Sequence, residues 1–95
     1  MFTWLNKQGV QSDQGFVVQR TDRLAAEYRE HGRVITVYIQ SGLSEGKRCL
    51  IIQGTAFERW DGDPENKRIS LDDQLRMLRN FREALEFQGT ALVVR

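Results

Sequence analysis

The sequence predicts an α+β domain. A small, mostly antiparallel sheet of about five strands carries one long C-terminal amphipathic helix, Ser70 to Gln88, on one face. Three observations lead there. Residues 24–39 separate into an apolar and a mixed face when folded as a hairpin. Residues 48–53 hold an uninterrupted apolar run, as a strand covered on both sides does. From residue 70, apolar side chains recur at steps of three or four between a cap and a stop. The 95 residues suit one domain, 1–95, and 40% hydrophobic with 28% charged residues is too apolar a mixture for a disordered chain.

Residues 1–15 form a possible extended N-terminal segment. After the opening Phe2-Thr3-Trp4-Leu5 they are polar, and Gly9, Ser12, Asp13 and Gly15 favour loop or turn. Phe16 to Gln19 reads as a short strand. The next segment, Thr21 to Gly32, has two readings. Thr21 as a cap, Ala25 with Ala26, and Gly32 as a stop describe a helix. A turn at His31-Gly32 instead sets Tyr28 opposite Ile35, Ala26 opposite Val37 and Leu24 opposite Ile39 on one side. Arg29–Val34, Glu27–Thr36 and Ala25–Tyr38 then share the other side. Glycine tolerates the positive φ of a type I′ turn and His visits that region more readily than most residues, so the hairpin is favoured.

Gly42 to Gly46 reads as a turn-rich loop, Arg48 to Gln53 as a central strand, and Ala56 to Trp60 as a short turn. Ser70 is a good N-cap. Asp73 stands where a carboxylate can complete a capping box, and Asp72 and Asp73 complement the helix dipole. Leu71, Leu75, Leu78, Phe81 and Leu85 make the expected apolar stripe, Gly89 the C′ stop, and Thr90 to Val94 a closing strand. One helix covers one face of such a sheet. The other must be covered by Phe2, Trp4 and Leu5, by a second copy of the chain in a homodimer, or by a foreign partner.

Composition narrows the function. A net charge of +1 lacks the basic excess of a dedicated nucleic-acid binder. No apolar stretch nears the roughly 20 residues of a membrane helix, and no signal peptide is expected at the start. The lone Cys49 fits a protein of the reducing cytoplasm and reads as a small core residue. One His and one Cys cannot supply a zinc set, His31 reads as an exposed turn residue, and no triad can be assembled. Asp61 to Asn66 is a poor calcium loop, because Pro64 falls where a ligating backbone should continue. No enzyme activity, cofactor or metal is therefore expected. Arg76, Arg79 and Arg82 step along the helix as a basic stripe, with Glu83 and Glu86 placed to pair with the latter two; a solvated face is the simpler reading and contact with phosphate or an acidic protein the sharper one.

The stretch from Phe57 to Val94 joins Trp60 at the end of a strand and turn, a polar loop with Pro64, Ile69 before the Ser70 cap, a helix with Leu75, Leu78, Phe81 and Leu85, then Gly89 and the strand Ala91 to Val94. This pattern resembles the C-terminal half of small bacterial immunity proteins of polymorphic toxin systems, immunity protein family seventy-four. The upstream hairpin and the strand Cys49 to Ile52 extend the resemblance over residues 16–94. It implies a cytoplasmic, non-catalytic protein whose partner is a cognate toxin domain neutralised by occlusion. Charge suggests Asp61, Asp63 and Glu65, with Lys67 and Arg68, as the partner-binding run. Trp60, Ser70, Asp73 and Gly89 are assigned structural roles, Trp60 pinning the corner beneath the helix start with its N–H on a loop carbonyl.

Overall fold

The computed structural model describes residues 1–95. Eight strands precede, flank and follow one helix: β1 (Phe2–Asn6), β2 (Gly9–Ser12), β3 (Phe16–Asp22), β4 (Ala25–Glu30), β5 (Arg33–Tyr38), β6 (Gln40–Ser44), β7 (Lys47–Ile52), α1 (Leu71–Phe87) and β8 (Ala91–Val94). The first five strands form an antiparallel meander in the order β1-β2-β3-β4-β5. A second sheet has the order β6-β7-β8, with β7 antiparallel to β6 and parallel to β8. The fold is α+β.

The hairpin register is the one that the cross-strand pattern dictates. Tyr28 pairs with Ile35, Ala26 with Val37, Arg29 with Val34 and Glu27 with Thr36. His31 and Gly32 take φ values of 52° and 75°, so both turn residues are left-handed as a type I′ turn requires. Beyond Tyr38 the chain passes through Ile39, whose N–H donates to the Leu24 carbonyl, straight into β6. Leu24 itself stays exposed, unlike the other inward-paired residues.

Residues 1–15 are not loop. They form β1 and β2, with Phe2 opposite Ser12 and Trp4 opposite Val10. Of the turn signals only Asp13 and Gly15 fall in a connection; Gly9 and Ser12 are the two ends of β2, and Val10 and Ser12 are buried. Likewise Gly42 to Ser44 belongs to β6, and only Glu45-Gly46, with φ of 53° and 78°, turns. At Gly42 the close neighbour is the Ile51 side chain: a Cβ would lie 2.7 Å from its Cδ1, so a larger residue would make that side chain move. The expected strands thus divide between two sheets, and three further strands join them.

β7 is central in its sheet. Cys49, Leu50, Ile51 and Ile52 are all buried, which accounts for the unalternating apolar run. The chain leaves β7, loops through residues 53–70, descends α1 and returns as β8 beside β7, so a helix-containing crossover joins the parallel pair. A single core unites the two sheets and the helix. It includes Val10, Val18, Tyr28, Ile35 and Val37 from the first sheet, Leu50 and Ile52 from the second, Phe57 from the connecting loop, and Met77, Phe81, Ala84 and Leu85 from α1.

The helix ends where its caps place it. Ser70 Oγ accepts from Asp73 N–H at 3.2 Å. At the other end Gly89, with φ of 82°, donates to Glu86 O and Thr90 to Leu85 O, the paired bonds of a Schellman stop. The reciprocal half of the capping box does not form, because the Asp73 carboxylate turns toward Arg76 instead, 3.6 Å from its Nε. The buried stripe is also rotated from the expected one. Gln74, Met77, Asn80, Phe81, Ala84 and Leu85 face inward, whereas Leu71 and Leu75 are 66% and 57% exposed. Three polar or small residues on the true inner face hid it from a pattern built on leucine.

The sheet face away from α1 is mostly polar, with Tyr38 exposed at its β5 edge. By strand alternation it carries Thr3, Gln11, Gln19, Thr36 and a Glu27–Arg29 ion pair of 2.6 Å, with Val17 and Val34 only half-buried among them. Phe2 and Trp4 do not cover it and lie on the helix side. Phe2 contacts Phe16 and Phe87, and Trp4 contacts Phe87. No helix is long and apolar enough to cross a membrane.

Candidate functional site

The loop between β7 and α1 is built from inside outward. Phe57 is buried, its ring edge-on to both Tyr28 and Phe81, which fixes the loop to the core. From this anchor Ile69 N–H donates to Glu58 O at 2.7 Å, and Gln74 Nε2 donates to Ile69 O at 2.7 Å, closing the loop onto the helix start. Trp60 is partly buried against the core at this corner. Its N–H makes no bond to a loop carbonyl. The indole is instead capped by Arg33, whose guanidinium carbon lies 5.8 Å from the ring centroid, within cation–π range.

Three clefts, of about 340, 400 and 330 Å³, open around this pair, and Arg33 and Trp60 line all of them. One runs over Asp63, Glu65, Lys67 and Arg68; another over Glu30, Asp73 and Arg76; the third over Val34, Asp61 and Pro64. The corner therefore combines a half-buried aromatic, an exposed guanidinium and a rim bearing both charge signs.

The residues expected to bind a partner lie along this rim, but most already have partners within the chain. Asp61 clips the free edge of β5: its Oδ2 accepts from Thr36 N–H at 2.9 Å and from Thr36 Oγ1 at 2.5 Å, while its own N–H donates to Val34 O. Such a clip blocks an edge strand from pairing with other chains. Asp63 shapes the loop by accepting from Glu65 and Lys67 N–H. Glu65 pairs with Lys67 at 2.8 Å in solvent, and Arg68 reaches Glu58 at 3.4 Å. The run is thus a folded, internally neutralised loop and not an acidic tongue.

The arginine stripe is likewise divided. Arg76 forks onto Glu30, with Nη1 to Oε1 at 2.5 Å and Nη2 to Oε2 at 2.8 Å. Tyr28 Oη donates to the same Oε1 at 2.7 Å, and Asn80 Nδ2 donates to Tyr28 Oη at 3.0 Å. The Arg76 fork holds the Glu30 carboxyl below the usual carboxylate range; burial opposes the shift and the Tyr28 hydroxyl adds to it. Burial pushes the Tyr28 phenol upward and keeps it protonated. This network joins β4 to α1, so Arg76 is not available as a free cation. Arg79 and Arg82 remain exposed and form no ion pair with Glu83 or Glu86.

Sequence reading missed Arg33, Glu30 and Asn80. Glu30 carried a signal: it follows Ala26 and Tyr28 on the inward alternation of β4, and an acid there needs a cation. Arg33 carried none, because its partner Trp60 is 27 residues away in sequence and meets it only through the loop's return. Cys49 is buried in β7 and His31 is exposed at its turn. No three His, Cys, Asp or Glu side chains converge as metal ligands. In comparisons with known proteins, no family model, curated protein or solved structure matches the chain.

Proposed function

We propose that the chain is a non-catalytic protein-binding domain, an immunity protein that neutralises a cognate bacterial toxin domain by occlusion in the cytoplasm. The observation that carries the reading is the Arg33–Trp60 pair at the junction of three clefts. Trp and Arg are the side chains most enriched among binding hot spots, and a rim of both charge signs provides specificity around them. The sequence resemblance to immunity proteins supplies the partner class. The buried ionisable cluster supports the same reading. Both carboxylate oxygens of Glu30 are occupied, so the group is committed to joining β4 and α1 and not poised for proton transfer.

Co-expression with a toxin domain taken from the genes adjacent to its own tests the proposal. The wild-type chain protects growing cells, and Arg33→Glu, at an exposed position, weakens toxin binding by about thirtyfold, the scale of one lost hot spot. Absence of protection by the wild type overturns the immunity reading. Undiminished protection and binding by Arg33→Glu moves the contact away from this corner.

A further inference from the structure

A separate cleft of about 510 Å³ lies where β3, the β6–β7 hairpin and the chain just past α1 meet. Its polar lining is Arg20, Ser41, Arg48 and Thr90, and Leu43 and Cys49 supply apolar wall. No acidic side chain lines it, although the whole chain is nearly neutral at +1. Neither Arg20 nor Arg48 has a carboxylate partner anywhere in the chain.

Arg20 is the unusual member. It follows Phe16 and Val18 on the core-facing alternation of β3, so its side chain is directed inward and is only partly exposed. Its Nε is buried and has no hydrogen-bond acceptor. Buried donors in folded proteins are nearly always satisfied, and a charged one left orphaned is costly. Arg48, by contrast, is exposed on β7 and can move toward whatever enters. Two guanidinium forks and two hydroxyls thus border one cleft from four separate segments, with no counter-charge among them.

We propose that this cleft binds a small phosphate monoester. Guanidinium forks match phosphate oxygens in pairs. Donors arriving from four segments suit a tetrahedral, doubly charged head better than a planar carboxylate, which presents two oxygens on one side. Leu43 and Cys49 would then flank the organic body.

Titration of isotopically labelled protein with phenyl phosphate, at constant ionic strength and followed by NMR, tests the site. Saturable shifts are expected at the amides of Arg20, Ser41, Gly42, Arg48 and Thr90. Arg48→Gln, at an exposed position, lowers affinity about tenfold by removing one charge-assisted fork. Arg20→Lys, which keeps charge and loses the fork, weakens binding with the fold verified by its amide spectrum. Shifts matched by sodium chloride, no saturation, or unchanged affinity in Arg48→Gln would overturn the site. Equal binding of benzoate would overturn the assignment to phosphate.

Discussion

Arg76 in the second turn of α1 grips both carboxylate oxygens of Glu30 at the end of β4, across 46 residues of sequence. The Glu30 side chain is 7% exposed and that of Arg76 is 38%. Removing the cation strands a buried charge, whereas removing the acid leaves a cation that can turn to water. Arg76→Ala should therefore cost about 2–3 kcal/mol, below the 3–5 typical of fully buried pairs because solvent screens Arg76. Glu30→Gln should cost less. Urea denaturation of the variants measures both.

The same pair fixes an acid response. The folded-state pKa of Glu30 is lowered from its ordinary 4.5, so the unfolded chain takes up the proton first as pH falls. The stabilisation is complete above the unfolded value and is lost progressively as pH drops from there through the folded value. The wild type should lose stability over this window relative to Glu30→Gln, and urea midpoints measured across acidic pH would show the two curves converging.

Tyr28 gives the alkaline counterpart. Burial raises its folded pKa above the ordinary 10.0, so its contribution is intact below that value and declines as pH climbs toward the folded one. In a Tyr38→Phe variant, which leaves Tyr28 as the sole tyrosine, phenolate absorbance should appear together with loss of the far-ultraviolet helix signal and not before it.

Asp61 is an edge clip before it is a contact residue. Asp61→Ala removes two acceptor bonds to Thr36 and should destabilise the chain by about 1–2 kcal/mol. It also frees the β5 edge, so thermal unfolding should become more concentration-dependent, as light scattering would register.

The helix register makes a paired prediction. Leu75→Gln, on an exposed face, should change stability by no more than about 0.5 kcal/mol. Met77→Ala, fully buried, should cost about 2–5 kcal/mol. Thermal melts of the two variants discriminate this face from the one drawn through the leucines.

Local chemistry determined much of this protein from sequence. The His31-Gly32 turn, the strand register that follows from it, the buried run of β7, the Ser70 cap and the Gly89 stop all rest on interactions within a few residues or between adjacent strands. Period-two alternation and cap geometry encode those directly. Tertiary structure decided the rest. Only packing could show that β1 and β2 continue the meander, because Phe2 and Trp4 of β1 meet Phe87 at the end of α1 and Val10 of β2 enters the common core. Only packing could turn α1 so that Asn80 and Gln74 face inward, since their polar groups become tolerable once Tyr28 and the Ile69 carbonyl receive them. The charged loop then changed character for the same reason. In sequence Asp61 to Arg68 is a row of free charges; folded, it is a clip and a turn, and the exposed chemistry passes to Trp60 and the Arg33 that the returning loop lays against it.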